Sequence, residues 1–266
     1  MKYHQIDRQL FIKNRQKFTA QMKPNSVAIF NSNDIYPVSA DSTLPFAQHR
    51  DIFYLSGVDQ EESVLLLFPD APYENLKEIL FLKETNEHIA IWEGEKLTKE
   101  KAFETSGVKT VIWLQDFHKT LKEIMAYSDT MYINTNEHYR ASIETETRED
   151  RFTKWWKANY PAHKVEKSNP ILQRLRSVKE SQELDLIQNA CNITEKGFRR
   201  LLSFVKPNVT EYEIEAELIH EFVRNRSKGF AYTPSIASGN NANVWHYIEN
   251  NQQCKAGELS LLDVAA

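Results

Sequence analysis

Residues 238–247 read Ser-Gly-Asn-Asn-Ala-Asn-Val-Trp-His-Tyr, and residues 259–266 read Leu-Ser-Leu-Leu-Asp-Val-Ala-Ala. The first stretch places His246 between two aromatic residues, directly after a loop rich in Gly and Asn. The second has the apolar character of a strand and carries Asp263 near its end. A carboxylate buried at the end of a strand costs several kcal/mol unless it is paired or bound to a metal. We therefore expect Asp263 to be a buried metal ligand; the alternative is an Asp that caps a turn.

The composition is that of an ordinary folded protein. Its 266 residues suffice for one large domain or two ordinary ones. A net charge of −4 gives no electrostatic reason to bind nucleic acid or an anionic membrane. No apolar run is long enough to span a bilayer, and the N-terminus lacks an apolar signal region. We expect a cytoplasmic protein with neither nucleic acid nor membrane as a partner.

The first 160 residues alternate between apolar runs of strand length and amphipathic segments. This alternation predicts an α/β domain with a mixed sheet. The predicted strands are residues 26–30, 52–58, 63–68, 79–82, 88–92, 108–114 and 130–134. The predicted helices are residues 8–22, 98–105, 116–127 and 143–160.

A domain boundary is expected at Ser168-Asn169-Pro170, which gives domains of residues 1–168 and 169–266. A long helix beginning at residue 177 or 181 follows, and its apolar positions recur every three or four residues, on a face that should pack against a sheet. Those positions are Leu184, Ile187, Cys191, Thr194, Phe198, Leu201 and Val205. A capping box at Thr210 and Glu213 begins the next helix. Strands are predicted at residues 235–237, 244–247 and 259–265.

The two stretches quoted first resemble the aminopeptidase P and prolidase branch of the pita-bread metallopeptidases, including the spacing from His246 to Asp263. Residues 39–46, 53–57 and 63–67 are similar to the N-terminal domain of bacterial aminopeptidase P, and residues 91–94 to its tryptophan-bearing strand. The resemblance implies an α/β fold class: an N-terminal creatinase-like α/β domain with a mixed sheet, followed by the beginning of a pita-bread α+β catalytic domain.

The resemblance also implies a cofactor. In the family, the aspartate matched by Asp263 is one of five ligands to two divalent metal ions, for which Mn²⁺ is the expected identity. The other four ligands come later in that fold, so we expect this chain to be a fragment that is inactive alone. One position departs from the family pattern, since Ala265 stands where family members usually have Gly.

The implied activity is that of an Xaa-Pro aminopeptidase, in which a metal-bridging hydroxide attacks the carbonyl before a proline. His246 would help to bind substrate and stabilise the tetrahedral intermediate; a histidine on a half-buried strand is the alternative. Tyr232 would line the pocket for the first substrate side chain, unless it is a core aromatic. Trp92 and Asp41 would reach a neighbouring subunit's active site in a homo-oligomer, a dimer or tetramer; ordinary packing and a loop cap are their alternatives.

Three other functions remain open. An Xaa-Pro dipeptidase would cleave only dipeptides. A creatinase-type amidinohydrolase needs no metal, and Asp263 argues against it. A non-catalytic peptide-binding module of the same fold would lack the remaining metal ligands. The expected partner of the aminopeptidase and of the dipeptidase is a peptide that contains proline. The expected partner of the non-catalytic module is also a peptide.

Overall fold

The computed structural model describes residues 3–138 and 143–266. They form two compact units. One is Ile6–Val178, and the other is Lys179–Ala266 together with the described residues before Ile6. The expected boundary after residue 168 lies before helix α7 (Asn169–Ser177), whereas the compact units divide after it.

A six-stranded mixed sheet is the centre of the unit Ile6–Val178, as the alternating pattern predicts. The strands of this unit are β1 (Ser26–Asn31), β2 (Pro37–Ser39), β3 (Ser42–Thr43), β4 (Val64–Leu67), β5 (Glu78–Leu82), β6 (Thr110–Trp113), β7 (Thr130–Ile133) and β8 (Lys164–Lys167). The order in the sheet is β6-β5-β4-β1-β7-β8. The β1–β4 and β4–β5 pairs are antiparallel, and the other pairs are parallel. The short strands β2 and β3 form a separate hairpin.

Helices cover both faces of this sheet. Those before α7 are α1 (Arg8–Thr19), α2 (Arg50–Ser56), α3 (Glu87–Glu93), α4 (Lys99–Ser106), α5 (Phe117–Met125) and α6 (Arg148–Asn159). Strand β1 divides its side chains by strict alternation: Val27 and Ile29 pack with α5 and α6, whereas Ala28 and Phe30 pack with α1, α2, α4 and α7. Successive strand residues point to opposite faces, so a wholly buried strand supplies two cores.

Arg15 is a fully buried cation on α1. Its Nη1 donates to the carbonyl of Leu55 at 2.8 Å and to that of Ser106 at 2.9 Å. Its Nε donates to Glu78 at 3.0 Å. A charge out of water is tolerated only when it is paired and hydrogen-bonded. Arg15 therefore ties α1 to the ends of α2 and α4 and to strand β5.

Two strand predictions in this unit are wrong, because residues 52–58 and 88–92 fall in helices α2 and α3. Each helix is seven residues long and ends at a glycine, Gly57 or Gly94. Gly57 has φ 69°, and a Cβ there would lie 2.2 Å from the ring of Phe11. A short apolar run does not distinguish a strand from one buried helical face. The glycine that follows each run is the C-cap of a helix.

The second unit packs two helices against a two-stranded sheet. Its elements are α8 (Ser181–Phe204), α9 (Glu211–Arg224), β9 (Ser235–Ser238) and β10 (Ser260–Asp263). Ile214, Leu218 and Phe222 of α9 are fully buried, as their spacing predicts. Gly197 lets the helices approach closely, since a Cβ there would lie 2.8 Å from the ring of Phe222.

The apolar stripe of α8 is buried only in its second half. Leu201 is 3% exposed, whereas Leu184 and Ile187 are 54% and 47% exposed and Cys191 is exposed. The expectation that the whole stripe packs against a sheet is therefore wrong for the part of the chain described. Within residues 3–138 and 143–266, no helix is both long and apolar enough to cross a bilayer.

Candidate functional site

His246 and Asp263 line the same pocket in the second unit. The pocket has a volume of about 600 Å³ and lies between the end of β10 and the loop after β9. The antiparallel register of β9 and β10 pairs Asp263 with Ser235, which also lines the pocket. His246 and Asp263 are 17 residues apart in the sequence, and the antiparallel pairing of β9 with β10 brings them to one pocket. The two residues singled out from the sequence are thus brought together.

His246 lies in a turn and not in a strand, which corrects the strand predicted at residues 244–247. A short 3₁₀ helix, Gly239–Asn243, precedes this turn. His246 has φ 56°, a left-handed conformation that is uncommon outside glycine. Its side chain is exposed, whereas the next residue, Tyr247, is 7% exposed. The turn therefore presents the imidazole outward while the tyrosine anchors it.

Asp263 ends strand β10, as expected, but it is exposed and not buried. Strand β10 has β9 as its one neighbour in the described chain, so little protein covers the carboxylate. Its Oδ1 accepts a hydrogen bond of 2.6 Å from the hydroxyl of Tyr232. This bond to an anionic acceptor raises the pKa of Tyr232. The predicted substrate residue Tyr232 is thus held directly against the predicted metal ligand, and at 48% exposure it is not a core aromatic.

Glu211 fixes the loop behind the pocket, and the sequence analysis did not single it out. Glu211 is 0% exposed, and its carboxylate accepts four hydrogen bonds. Two come from Ser238, at 2.6 Å from its backbone N–H and at 2.7 Å from its hydroxyl. The others come from the hydroxyl of Tyr247 at 2.7 Å and from the backbone N–H of Gln252 at 2.9 Å. Burial alone would raise the pKa of Glu211, but these donors outweigh it and lower the pKa. In the sequence, Glu211 is a glutamate in the first turn of a predicted helix. The helix dipole alone explains an acidic residue at that position, so the sequence gives no further sign of its role.

The described residues do not by themselves form a metal site. A hard divalent cation prefers several oxygen ligands, and the exposed carboxylate of Asp263 suits such a cation. However, residues 3–138 and 143–266 contain no group of three or more His, Cys, Asp or Glu placed to hold a metal ion. No catalytic step is therefore assigned to a metal here.

Trp92 and Asp41 belong to the other compact unit, Ile6–Val178. Trp92 lies on helix α3, not on the tryptophan-bearing strand that the resemblance implies, and is 79% exposed. Asp41 is exposed at the tip of the β2–β3 hairpin, next to Ala40 with φ 50°. Both side chains are accessible to a partner, and neither is used in packing.

Comparison with known protein families gives two matches along the chain. The aminopeptidase P N-terminal domain family matches residues 11–132. Metallopeptidase family M24 matches residues 185–266. Both matches agree with the order of the two units, and the second contains all the residues of the pocket at His246 and Asp263.

Individual relatives and structures lead to the same group. Xaa-Pro aminopeptidase of Escherichia coli K12 is 28% identical over 261 residues, covering 97% of this chain and 59% of its own length. Human Xaa-Pro aminopeptidase 3 is 26% identical over 91% of this chain and 48% of its own length. A Bacillus anthracis protein assigned as an aminopeptidase P superposes with a TM-score of 0.91 at 28% identity, over 98% of this chain and 62% of its own. Aminopeptidase P of E. coli superposes with a TM-score of 0.87 at 26% identity, over 98% of this chain and 60% of its own.

These matches confirm the resemblance to aminopeptidase P and the pita-bread metallopeptidases in both units. The chain spans about 60% of the length of the relatives of known structure.

Proposed function

We propose that the protein containing these residues is an Xaa-Pro aminopeptidase, which removes the N-terminal residue from peptides with proline in second position. The observation that carries the proposal is the shared pocket of His246 and Asp263, with the hydroxyl of Tyr232 on the Asp263 carboxylate. The match to metallopeptidase family M24 supports the reaction class, and the similarity to Xaa-Pro aminopeptidases supports the substrate class.

The chain's own residues have separate roles in this proposal. The exposed imidazole of His246 donates a hydrogen bond to the substrate carbonyl oxygen as that oxygen becomes negative. Tyr232 packs against the first substrate side chain. Asp263 would be one ligand of two divalent metal ions, Mn²⁺, and no cluster of three or more possible ligands lies among the described residues. Residues 1–168 are the N-terminal domain and residues 169–266 the first part of the catalytic domain.

The wider setting is proposed with it. Trp92 and Asp41 contact the substrate bound at a neighbouring subunit of a homo-oligomer, and the protein works in the cytoplasm. Their exposure supports this role, because neither side chain is used for packing within its own unit.

The decisive experiment uses the protein as expressed in its source organism. We expect cleavage of an Xaa-Pro tripeptide that is lost on chelation and restored by Mn²⁺. His246→Ala should lower kcat by about a hundredfold, the usual effect of removing one oxyanion donor. His220→Ala, which changes an exposed histidine of helix α9 that does not line the pocket, is the matched control and should retain activity. Cleavage of dipeptides alone would identify an Xaa-Pro dipeptidase, and cleavage insensitive to His246→Ala would contradict the proposed role.

The 266-residue chain itself should show no metal-dependent Xaa-Pro cleavage, because its described residues bring no ligand cluster to Asp263. A peptidase assay with added Mn²⁺ checks this directly. If the chain binds proline-containing peptides without cleaving them, the non-catalytic peptide-binding function gains support.

A further inference from the structure

A second pocket lies in the unit Ile6–Val178, at the carboxyl ends of β1 and β7. The two strands are parallel neighbours, so their carboxyl ends meet at one edge of the sheet. On its other side β1 pairs with the antiparallel strand β4. In open α/β sheets, ligands bind outside the carboxyl ends of strands where the connections diverge. The pocket there has a volume of about 350 Å³, within the range of small-molecule sites.

Glu149 supplies a buried carboxyl group to this pocket, and none of the described basic side chains forms an ion pair with it. It is 7% exposed and accepts hydrogen bonds from the backbone and side chain of Asn31, at 3.3 Å and 2.8 Å, and from the backbone of Asn134 at 3.3 Å. All three donors are neutral. Among the described residues, no basic nitrogen lies within ion-pair distance. Burial raises the pKa of Glu149 to about 7, which is what a carboxyl group without a counter-charge should show.

Arg148, the preceding residue, lies near the carboxylates of Glu62 and Asp34, but no described carboxylate is within ion-pair distance of its guanidinium. Its Nη1 donates a hydrogen bond of 3.0 Å to the hydroxyl of Ser32. The nearby carboxylate of Asp34 accepts from the backbone of Arg148 and is ion-paired with Arg151 instead. Burial lowers the pKa of Arg148. A guanidinium has five donors, so most of this one is open to a ligand.

The rest of the pocket wall is mixed, with polar residues that include Asp34 and His49 and an apolar side. Its apolar members are Tyr36, Leu44, Pro45, Ala47 and Ile143. A ligand that matches Glu149, Arg148 and the apolar side carries a positive group, a negative group and an apolar body. Arg148 and Glu149 are consecutive, yet no ion pair joins them, so both charges stay available to one small molecule. An α-amino acid has both charges on neighbouring atoms.

We propose that this pocket binds a free α-amino acid with an apolar side chain. The carboxylate of the ligand pairs with Arg148, its ammonium group contacts the carboxyl of Glu149, and its side chain packs against the apolar wall. The proposal does not depend on the peptidase function, because it uses none of the residues around His246 and Asp263.

Calorimetric titration of the 266-residue chain tests the ligand class first. The probes are L-leucine, 4-methylpentanoate, which lacks the ammonium group, and 3-methylbutylamine, which lacks the carboxylate. We expect leucine to bind, and each analogue to bind about tenfold more weakly or worse, because each lacks one of the two charge-assisted contacts. No heat with leucine, or equal affinity for leucine and either analogue, overturns the proposal. The comparison needs no substitution and so does not depend on a variant that folds.

Substitution then tests the residue. Arg148→Gln should weaken leucine binding by about tenfold or more while leaving the affinity for 3-methylbutylamine unchanged. Lys154→Gln removes the same charge from the same helix, where Lys154 is exposed and does not line the pocket, and should leave leucine affinity unchanged. Unchanged leucine affinity in Arg148→Gln, or an equal loss in Lys154→Gln, overturns the proposal. Failure here leaves the peptidase assay unaffected, so the two proposals are separable.

Discussion

Glu149 and Glu211 are both buried glutamates, and their surroundings shift their pKa values in opposite directions. Glu149 accepts from neutral donors at long to moderate distances, and burial dominates. Glu211 accepts four short hydrogen bonds, and these outweigh burial. Burial of a carboxyl group therefore does not fix its charge; the number and length of the donated hydrogen bonds decide it.

The raised pKa of Glu149 predicts a loss of stability as pH rises. Since its folded pKa of about 7 lies above the ordinary 4.5, the folded state holds the proton more tightly between these values. The free energy of unfolding should therefore fall from pH 4.5 to pH 7 by about 1 to 3 kcal/mol on account of this group. Denaturant titrations of wild type and Glu149→Gln at pH 5 and pH 8 check this. The variant should lose less stability over that interval; an equal loss contradicts the assignment.

Gly57 is a residue that no other amino acid can replace without cost. Gly57→Ala places a methyl group 2.2 Å from the ring of Phe11, in addition to the strain of a positive φ. The matched control is Gly57→Ala in a Phe11→Ala background, which keeps the positive φ and removes the ring. We expect about 1 to 3 kcal/mol of destabilisation there, from strain alone. In the wild-type background Gly57→Ala should cost at least about 1 kcal/mol more, from overpacking. Equal losses of unfolding free energy in the two backgrounds, measured by chemical denaturation, would contradict this.

At the scale of elements, Glu211 joins the start of α9 to the end of β9 and to the loop that carries His246. Glu211→Gln removes the anionic acceptor and should destabilise the second unit by about 1 to 3 kcal/mol. Glu213→Gln is the control, because Gln also serves in a capping box, and should change stability by less than about 0.5 kcal/mol.

The sign of the pH dependence separates this contribution from that of Glu149. Because the folded pKa of Glu211 is depressed, its stabilisation is present above about pH 4.5 and is lost as pH falls through the lower folded value. Thermal melts at pH 7 and pH 4 should therefore show a larger difference between wild type and Glu211→Gln at pH 7. A difference that grows toward low pH would be inconsistent with a depressed pKa.

The sequence predicts the long or strongly patterned elements well. Strands β1, β4, β5, β6 and β7 and helices α1, α8 and α9 agree with the expectation to within a few residues. It fails for residues 52–58, 88–92 and 244–247, because each is a short apolar or aromatic run whose conformation is decided by a glycine or by a distant partner. Tyr247, for example, is fixed by Glu211, 36 residues earlier, and no local pattern contains that contact.

The candidate site is predictable in part for the same reason. The spacing of His246 and Asp263 indicates a shared pocket, and both line one. The exposure of Asp263 and the turn at His246 follow from what packs around them, which sequence spacing does not contain. The roles of His246, Tyr232, Trp92, Asp41 and Asp263 remain predictions.

At the scale of the whole molecule, each compact unit has a hydrophobic core of its own. Residues 6–178 should therefore fold alone, with cooperative unfolding reported by Trp156, which is 1% exposed. A shorter chain, residues 6–168, serves as the comparison, because it lacks Ile171 and Leu172 of α7, which are 5% and 2% exposed. We expect it to be less stable by about 3 kcal/mol or more, from the lost burial of two aliphatic side chains. Equal stability would place the functional domain boundary near residue 168.

The contacts of Arg15 set an order of events during synthesis. Its acceptors lie 40, 63 and 91 residues further along the chain. A ribosome releases the N-terminus first, so α1 emerges long before Ser106, the last of these acceptors, has been made. Until then the guanidinium lacks part of its set of hydrogen bonds, and helix α1 lacks part of its final packing. Nascent chains arrested before that point should consequently leave α1 open to proteases, and those arrested well beyond it should protect it.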